Sequence, residues 1–182
     1  MLPVDFKINK YGLTMRLITE ADAEFIVSLR SDPERTKYMV TLEDNIEKQR
    51  EWIREYKRRE TEGSDYYFIY FNAENNPIGL NRASHIDYIN KTCVASSFIV
   101  VEGLKYEAIV MLLIRFEVMF DVLKIETFQA ECHKDNKKVV RIMELFGYKP
   151  YGETKKGFLQ MVLTKEAHEA SIPKIREMIL PG

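Results

Sequence analysis

Ile125-Glu126-Thr127-Phe128-Gln129-Ala130-Glu131, followed by Cys132-His133-Lys134-Asp135-Asn136, opens the stretch that decides how this chain folds. Its first seven residues alternate apolar and polar, the pattern of a strand with one buried face. The next five are a polar break in which Asp135 or Asn136 can cap a helix. Val139, Ile142, Met143 and Phe146 then fall at helical spacing, and Gly147 stops the helix before Tyr148. Residues 124–148 therefore read as strand, Asn-led cap and short amphipathic helix.

Outward from this stretch, the same signals place the other elements. Residues 13–18 alternate as a strand, and Thr19 with Asp22 three positions on opens a helix whose stripe is Phe25, Ile26 and Leu29. Pro33 ends it. A second helix is expected over 45–59, with Ile46, Ile53 and Tyr56 inward and the pairs Glu47–Arg50, Glu51–Arg54 and Glu55–Arg59 on a solvated face. The aromatic run 66–71 and residues 78–86 form a hairpin around Asn75-Asn76-Pro77, and 92–101 is a further strand after the Asn90-Lys91 turn. Residues 104–120 are apolar almost throughout, which asks for a helix buried on several faces. A loop carrying Gly152 and Gly157 leads to a last strand over 158–163, and 166–180 is helical but broken at Pro173.

Composition limits the function. At 182 residues the chain is sized for one domain with a real core, and a net charge of −1 gives no basic field for nucleic acid. Cys93 and Cys132 make neither a disulfide framework nor a metal-ligand spacing. The start, Met1-Leu2-Pro3-Val4-Asp5-Phe6, lacks a positive region followed by an apolar run, and the longest apolar run, 108–114, is about a third of a membrane span. A soluble, cytoplasmic protein with no membrane partner is expected.

The ordered set of elements is α+β around a mixed, mostly antiparallel sheet with helices on both faces, and 92–101, 104–120 and 125–131 form one parallel crossover unit. The strand, Asn136, helix and Phe146-Gly147-Tyr148 closely resemble the C-terminal half of the GCN5-related N-acetyltransferases. Residues 15–22, Leu29-Arg30-Ser31-Asp32-Pro33, Ile78-Gly79-Leu80 and His85-Ile86-Asp87 resemble the branch that holds ribosomal-protein N-terminal and aminosugar-nucleotide acetyltransferases. The resemblance spans about 13–163, with 164–182 an appended helix on a single domain. It implies an acetyl-coenzyme A-dependent transfer to a primary amine, of a small molecule or a protein N-terminus, without a metal, and it allows a homodimer.

The resemblance also assigns positions. The coenzyme's pyrophosphate would sit on Val101, Glu102, Gly103, Leu104, Lys105 and Tyr106 at the start of the long helix, where free N–H groups and the helix dipole favour anions. Only Gly103 fits the family's usual loop; Val100 stands at its basic or amide position, Lys105 at its second small one, and the loop is short by about three residues. Backbone N–H groups of Ile99, Val100 and Val101 would face the developing oxyanion. Asn136 would touch the pantetheine arm, a role compatible with plain helix capping. The groups that handle protons in relatives are missing: Met143, Val139 and Ala95 stand at the places of Tyr, Ser and Glu. His85 and Glu131 are the remaining catalytic candidates, with Asp87 and His133 behind them. His85 is preferred because imidazole titrates near neutrality, although a structural His and a solvated strand end are the plainer accounts. A Cys132–His133 nucleophile is disfavoured, since adjacent residues of a strand point to opposite faces. Arg30, Tyr38 and Arg82 are acceptor contacts. The rival reading is a non-catalytic binding or assembly module of the same fold, motivated by these departures.

Overall fold

The computed structural model describes residues 1–104 and 106–179. Lys105, expected in the phosphate cradle, lies outside the described residues, as does the end of the appended helix. One eight-stranded sheet organises the chain. Its strands are β1 (Lys7–Lys10), β2 (Leu13–Leu17), β3 (Asp65–Phe71), β4 (Pro77–Asp87), β5 (Thr92–Val100), β6 (Thr127–His133), β7 (Lys149–Glu153) and β8 (Phe158–Thr164). They lie in the order β1-β2-β3-β4-β5-β6-β8-β7, and only β5 and β6 run parallel. The helices are α1 (Ala23–Arg30), α2 (Ile46–Thr61), α3 (Tyr106–Glu117), α4 (Lys137–Leu145) and α5 (Lys165–Ile179).

Strand alternation divides the core into two. Tyr66, Phe68 and Tyr70 of β3 enter the cluster under α3 and α5, while Tyr67 and Ile69 enter the one under α1 and α2. The aromatic run is therefore buried on both faces. Helix α3 meets its expected environment: every residue from Val110 to Phe116 is buried. Gly79 of β4 lets it approach the sheet, because a Cβ there would stand 2.7 Å from Met111 Cε. A π turn, Val118–Val122, closes this helix, with Leu123 N–H donating to Val118 O at 3.1 Å.

Several expectations are corrected. Of the three helix-surface pairs, only Glu47–Arg50 forms among the described residues. Arg54 instead reaches Glu20 at 2.7 Å, and Arg59 reaches Asp65 at 3.1 Å. Tertiary partners outcompete local ones because i,i+4 pairs on an exposed face are worth only a few tenths of a kcal/mol. Helix α5 runs through Pro173, since one lost N–H bond is outweighed by the burial of Ile175 and Ile179 on either side of the next turn. The loop carrying Gly152 is in fact strand β7, and β1 also escaped the reading. Both are edge strands, β1 polar and β7 tolerating Pro150, so neither shows an apolar alternation.

Candidate active site

Strands β5 and β6 pair only from Thr92↔Thr127 to Ala95↔Ala130. Beyond that point they part, and the cause is visible in β5. Leu80 faces Ile99 and Arg82 faces Ser96, so Ser97 and Phe98 together oppose Asn81. This is a β-bulge, with Ser97 at φ +53°. The bulge bends β5 away from its parallel neighbour and leaves strand backbone without a ladder partner.

Two cavities open on either side of this split. The larger, about 540 Å³, lies on the α1–α2 face and is lined by Arg30, Trp52, Tyr67, Arg82 and the bulge. The smaller, about 120 Å³, runs between the split strands toward α3 and α4, past Asn136, Val139 and Met143. They share Tyr38, Met39, Ala95, Ser96, Ser97 and Glu131. Glu131 is the single carboxylate among the described residues lining either one. It lies on the exposed face of β6, where Gln160 Nε2 donates to its Oε1 at 3.3 Å.

Of the expected catalytic residues, Glu131 is in the cleft and His85 is not. His85 is exposed on β4 at φ +52°, its Nδ1 3.1 Å from Ser84 Oγ, and it lines neither cavity. A bulge between Ser84 and Asp87 re-aims it, which alternation alone could not foresee. Cys132 is buried, which pushes its thiol up to about 11 and keeps it un-ionised, so no thiolate nucleophile stands here. His133 lines the smaller cavity beneath Tyr38, ring centroids 5.1 Å apart. Its Nδ1 accepts the Asp135 N–H at 3.2 Å.

The expected acceptor contacts come together. Arg30 donates to Ser97 Oγ and to Val40 O, both at 3.1 Å, and its Nε is buried without a partner. The Tyr67 hydroxyl, buried and likewise without a hydrogen bond among the described residues, lines the same cavity; burial holds its pKa high, so it stays a donor. Asp65 clamps Arg82 through both oxygens, which raises the guanidinium's pKa, and the guanidinium lies 5.3 Å from the Trp52 ring. Trp52, Tyr67, Asp65 and Ser97 were not singled out from sequence. Their signal was present but mute, since an aromatic strand and a helix-borne Trp read first as core.

The three expected oxyanion donors do not face the same way. Val101 N–H already donates to Ile78 O at 2.9 Å. Alternation turns Ile99 the same way and Val100 toward the split, where Val100 O meets Arg35 Nη1 at 3.4 Å. The bulge at Ser97-Phe98 lies just before these residues on the same strand. At the cradle, Gly103 takes φ +85° between β5 and α3, and the Arg35 guanidinium stands 3.8 Å from Glu102. Tyr106 turns its hydroxyl to Ile179 O at 2.8 Å, so only its backbone is left for the cradle. Asn136 caps α4, accepting the Val139 N–H at 3.3 Å, and also lines the smaller cavity.

A family model described as an acetyltransferase (GNAT) domain matches residues 12–149. The chain belongs to this family. Among solved structures, apo FdhC, a nucleotide-linked sugar GNAT, is similar with 30% identity over 98% of this chain and 100% of that one, at a TM-score of 0.82. A spermidine N-acetyltransferase from Vibrio cholerae, solved with CoA and spermine, shares 18% identity over 88% and 99% at 0.75. The ribosomal-protein-S5-alanine acetyltransferase from Vibrio fischeri shares 15% over 89% and 98% at 0.73. These last two likenesses show the fold alone. No curated protein sequence matches the chain. Within the GNAT fold the split between β5 and β6 is intact here, while Met143 stands in α4 where relatives often place a Tyr.

Proposed function

We propose that the chain acts as a single acyltransferase domain. It moves the acetyl group of acetyl-coenzyme A to the primary amine of a nucleotide-linked amino sugar or a closely similar anionic small molecule, in the cytoplasm. The observation that carries this reading is the meeting of two cavities at the Ser96–Ser97 bulge with Glu131 between them. A thioester in the smaller cavity and an amine in the larger would face each other across the bulge.

The residues present fit the coenzyme at three points: space around Gly103 that no described residue fills, β5 backbone beyond the β6 ladder for the pantetheine arm, and Asn136 beside it. Transfer is direct. The neutral amine attacks the thioester carbonyl, and the bulge N–H groups meet the oxyanion. Glu131 takes the amine proton, directly or through one water, at a cost that a free amine near pKa 10.4 makes necessary. The C–S bond breaks, and a thiolate of pKa near 8.5 leaves without needing a protein acid, which suits a site that has Met143 in place of a phenol.

Charge in the larger cavity favours an anionic acceptor. Arg30 lines it without an ion pair among the described residues, and Arg82 adds a guanidinium that Asp65 already holds, a poor lining for a polycation such as spermidine. The likeness to FdhC over nearly the whole chain supports a nucleotide-linked sugar. The test is release of free coenzyme A from acetyl-coenzyme A with three acceptors offered in turn: a nucleotide-linked amino sugar, spermidine, and a peptide with a free N-terminus. The first should support release and yield an N-acylated product by mass spectrometry. Turnover of only spermidine or the peptide would reject the acceptor class. Binding of coenzyme A with no turnover of any amine would favour the non-catalytic rival, whose motive is the shortened cradle.

A further inference from the structure

Arg115 stands in the apolar heart of α3, between Ile114 and Phe116, and is 2% exposed. Its guanidinium lies 4.4 Å from the centre of the Phe116 ring and 5.4 Å from that of Phe128. Its Nε is buried with no hydrogen-bond partner, and no ion pair among the described residues includes it. The Tyr148 hydroxyl, on a side chain 5% exposed, has no partner among the described residues apart from Arg115 itself. Both residues line the smaller cavity, the one that begins at Ala95–Phe98 and Glu131 and would hold the thioester.

Burial strips this guanidinium of most of its hydration. Contact with aromatic faces returns only part of the hydration it gives up. Core positions of this kind are filled by charged residues when something pairs with them, and no carboxylate among the described residues pairs with Arg115. A guanidinium presents two parallel N–H donors to a carboxylate, and a phenol beside it adds a third. The larger cavity does not explain it, since Arg115 is not among that cavity's lining residues.

We propose that the preferred acyl donor carries a carboxylate at the far end of its acyl group, as in malonyl- or succinyl-coenzyme A, and that Arg115 binds that carboxylate with Tyr148 donating beside it. The inference rests on the acyl-transfer reading and changes only the donor; acetyl-coenzyme A remains a weaker one. The chemistry is unaltered. The amine attacks the thioester carbon, coenzyme A leaves with its thiol, and the distal carboxylate is carried across unchanged. An ammonium on the acceptor is thereby replaced by an amide bearing a negative charge.

The experiment is a calorimetric comparison of coenzyme A and its acetyl, butyryl, malonyl and succinyl thioesters on the whole protein. Butyryl matches the carbon chain of succinyl without the charge. Wild type should bind the succinyl or malonyl thioester at least tenfold tighter than the butyryl one. Arg115→Met, close in volume and uncharged, should lose that preference and bind butyryl-coenzyme A at least as well as wild type. Arg115→Lys keeps the charge without the fork and should fall between, a second variant if Met does not fold. Butyryl binding equal to or tighter than both carboxyacyl thioesters in wild type would overturn the proposal, as would a preference that survives Arg115→Met. If coenzyme A and acetyl-coenzyme A bind well with no gain from the carboxylate, only the donor assignment falls. If none of the five binds, the acyl-transfer reading falls with it.

Discussion

Glu131 and His85 show how a residue's value depends on which way its strand turns it. Imidazole has the better intrinsic pKa for taking a proton at neutrality, yet His85 lines neither cavity, while Glu131 lines both. Geometry therefore outranks pKa here. Glu131→Gln, which keeps shape and removes basicity, should lower kcat/KM for acyl transfer by about 10²-fold or more and leave coenzyme A affinity within twofold. His85→Gln should change neither by more than about twofold; parallel steady-state and calorimetric measurements decide. Glu131 was legible because β6 alternates cleanly, with Phe128, Ala130 and Cys132 buried and Gln129 and Glu131 out. His85 was misread because a bulge between Ser84 and Asp87 breaks that rule on β4, and no Gly or Pro marks it. Arg115 carries no functional signal in the sequence, where it reads as the charge that ends an apolar run.

At the level of elements, the long buried helix, the parallel crossover and the Asn-led α4 follow from periodicity, and they carry the fold. The edge strands β1 and β7 and the bulge at Ser97 do not, because polar edges and non-glycine bulges leave no hydrophobic signature. The acceptor wall depends on one such hidden device. Asp65, 2% exposed at the start of β3, holds Arg82 and Arg59 across from Trp52. Asp65→Asn leaves both guanidinium groups short of an anion. The two arginines are partly solvated, so the loss should be about 1–3 kcal/mol rather than the larger cost of a fully buried pair. Thermal unfolding should show a midpoint lower by several degrees, and acceptor KM should rise more than donor KM, since Arg82 lines the larger cavity alone. An unchanged midpoint would mean that the clamp contributes nothing.

The whole molecule stores a pH dependence in its second half. His168 of α5 is 4% exposed and stacks among Phe116, Phe120 and Phe146, and burial pulls its pKa from 6.5 to about 4. The folded state thus binds fewer protons than the unfolded chain between these values, so stability should be level above pH 6.5 and fall as pH drops from 6.5 toward 4. The loss is on the order of 3 kcal/mol across that window, and His168→Leu should flatten it in urea titrations at stepped pH. The central claim concerns the parting of β5 and β6. Amide hydrogen exchange, with and without saturating acetyl-coenzyme A, tests it most directly. The expected result is slowed exchange confined to residues 96–104 at the bulge and cradle and to residues 131–143 on β6 and α4. Unchanged exchange in both segments while protection appears elsewhere would contradict the account.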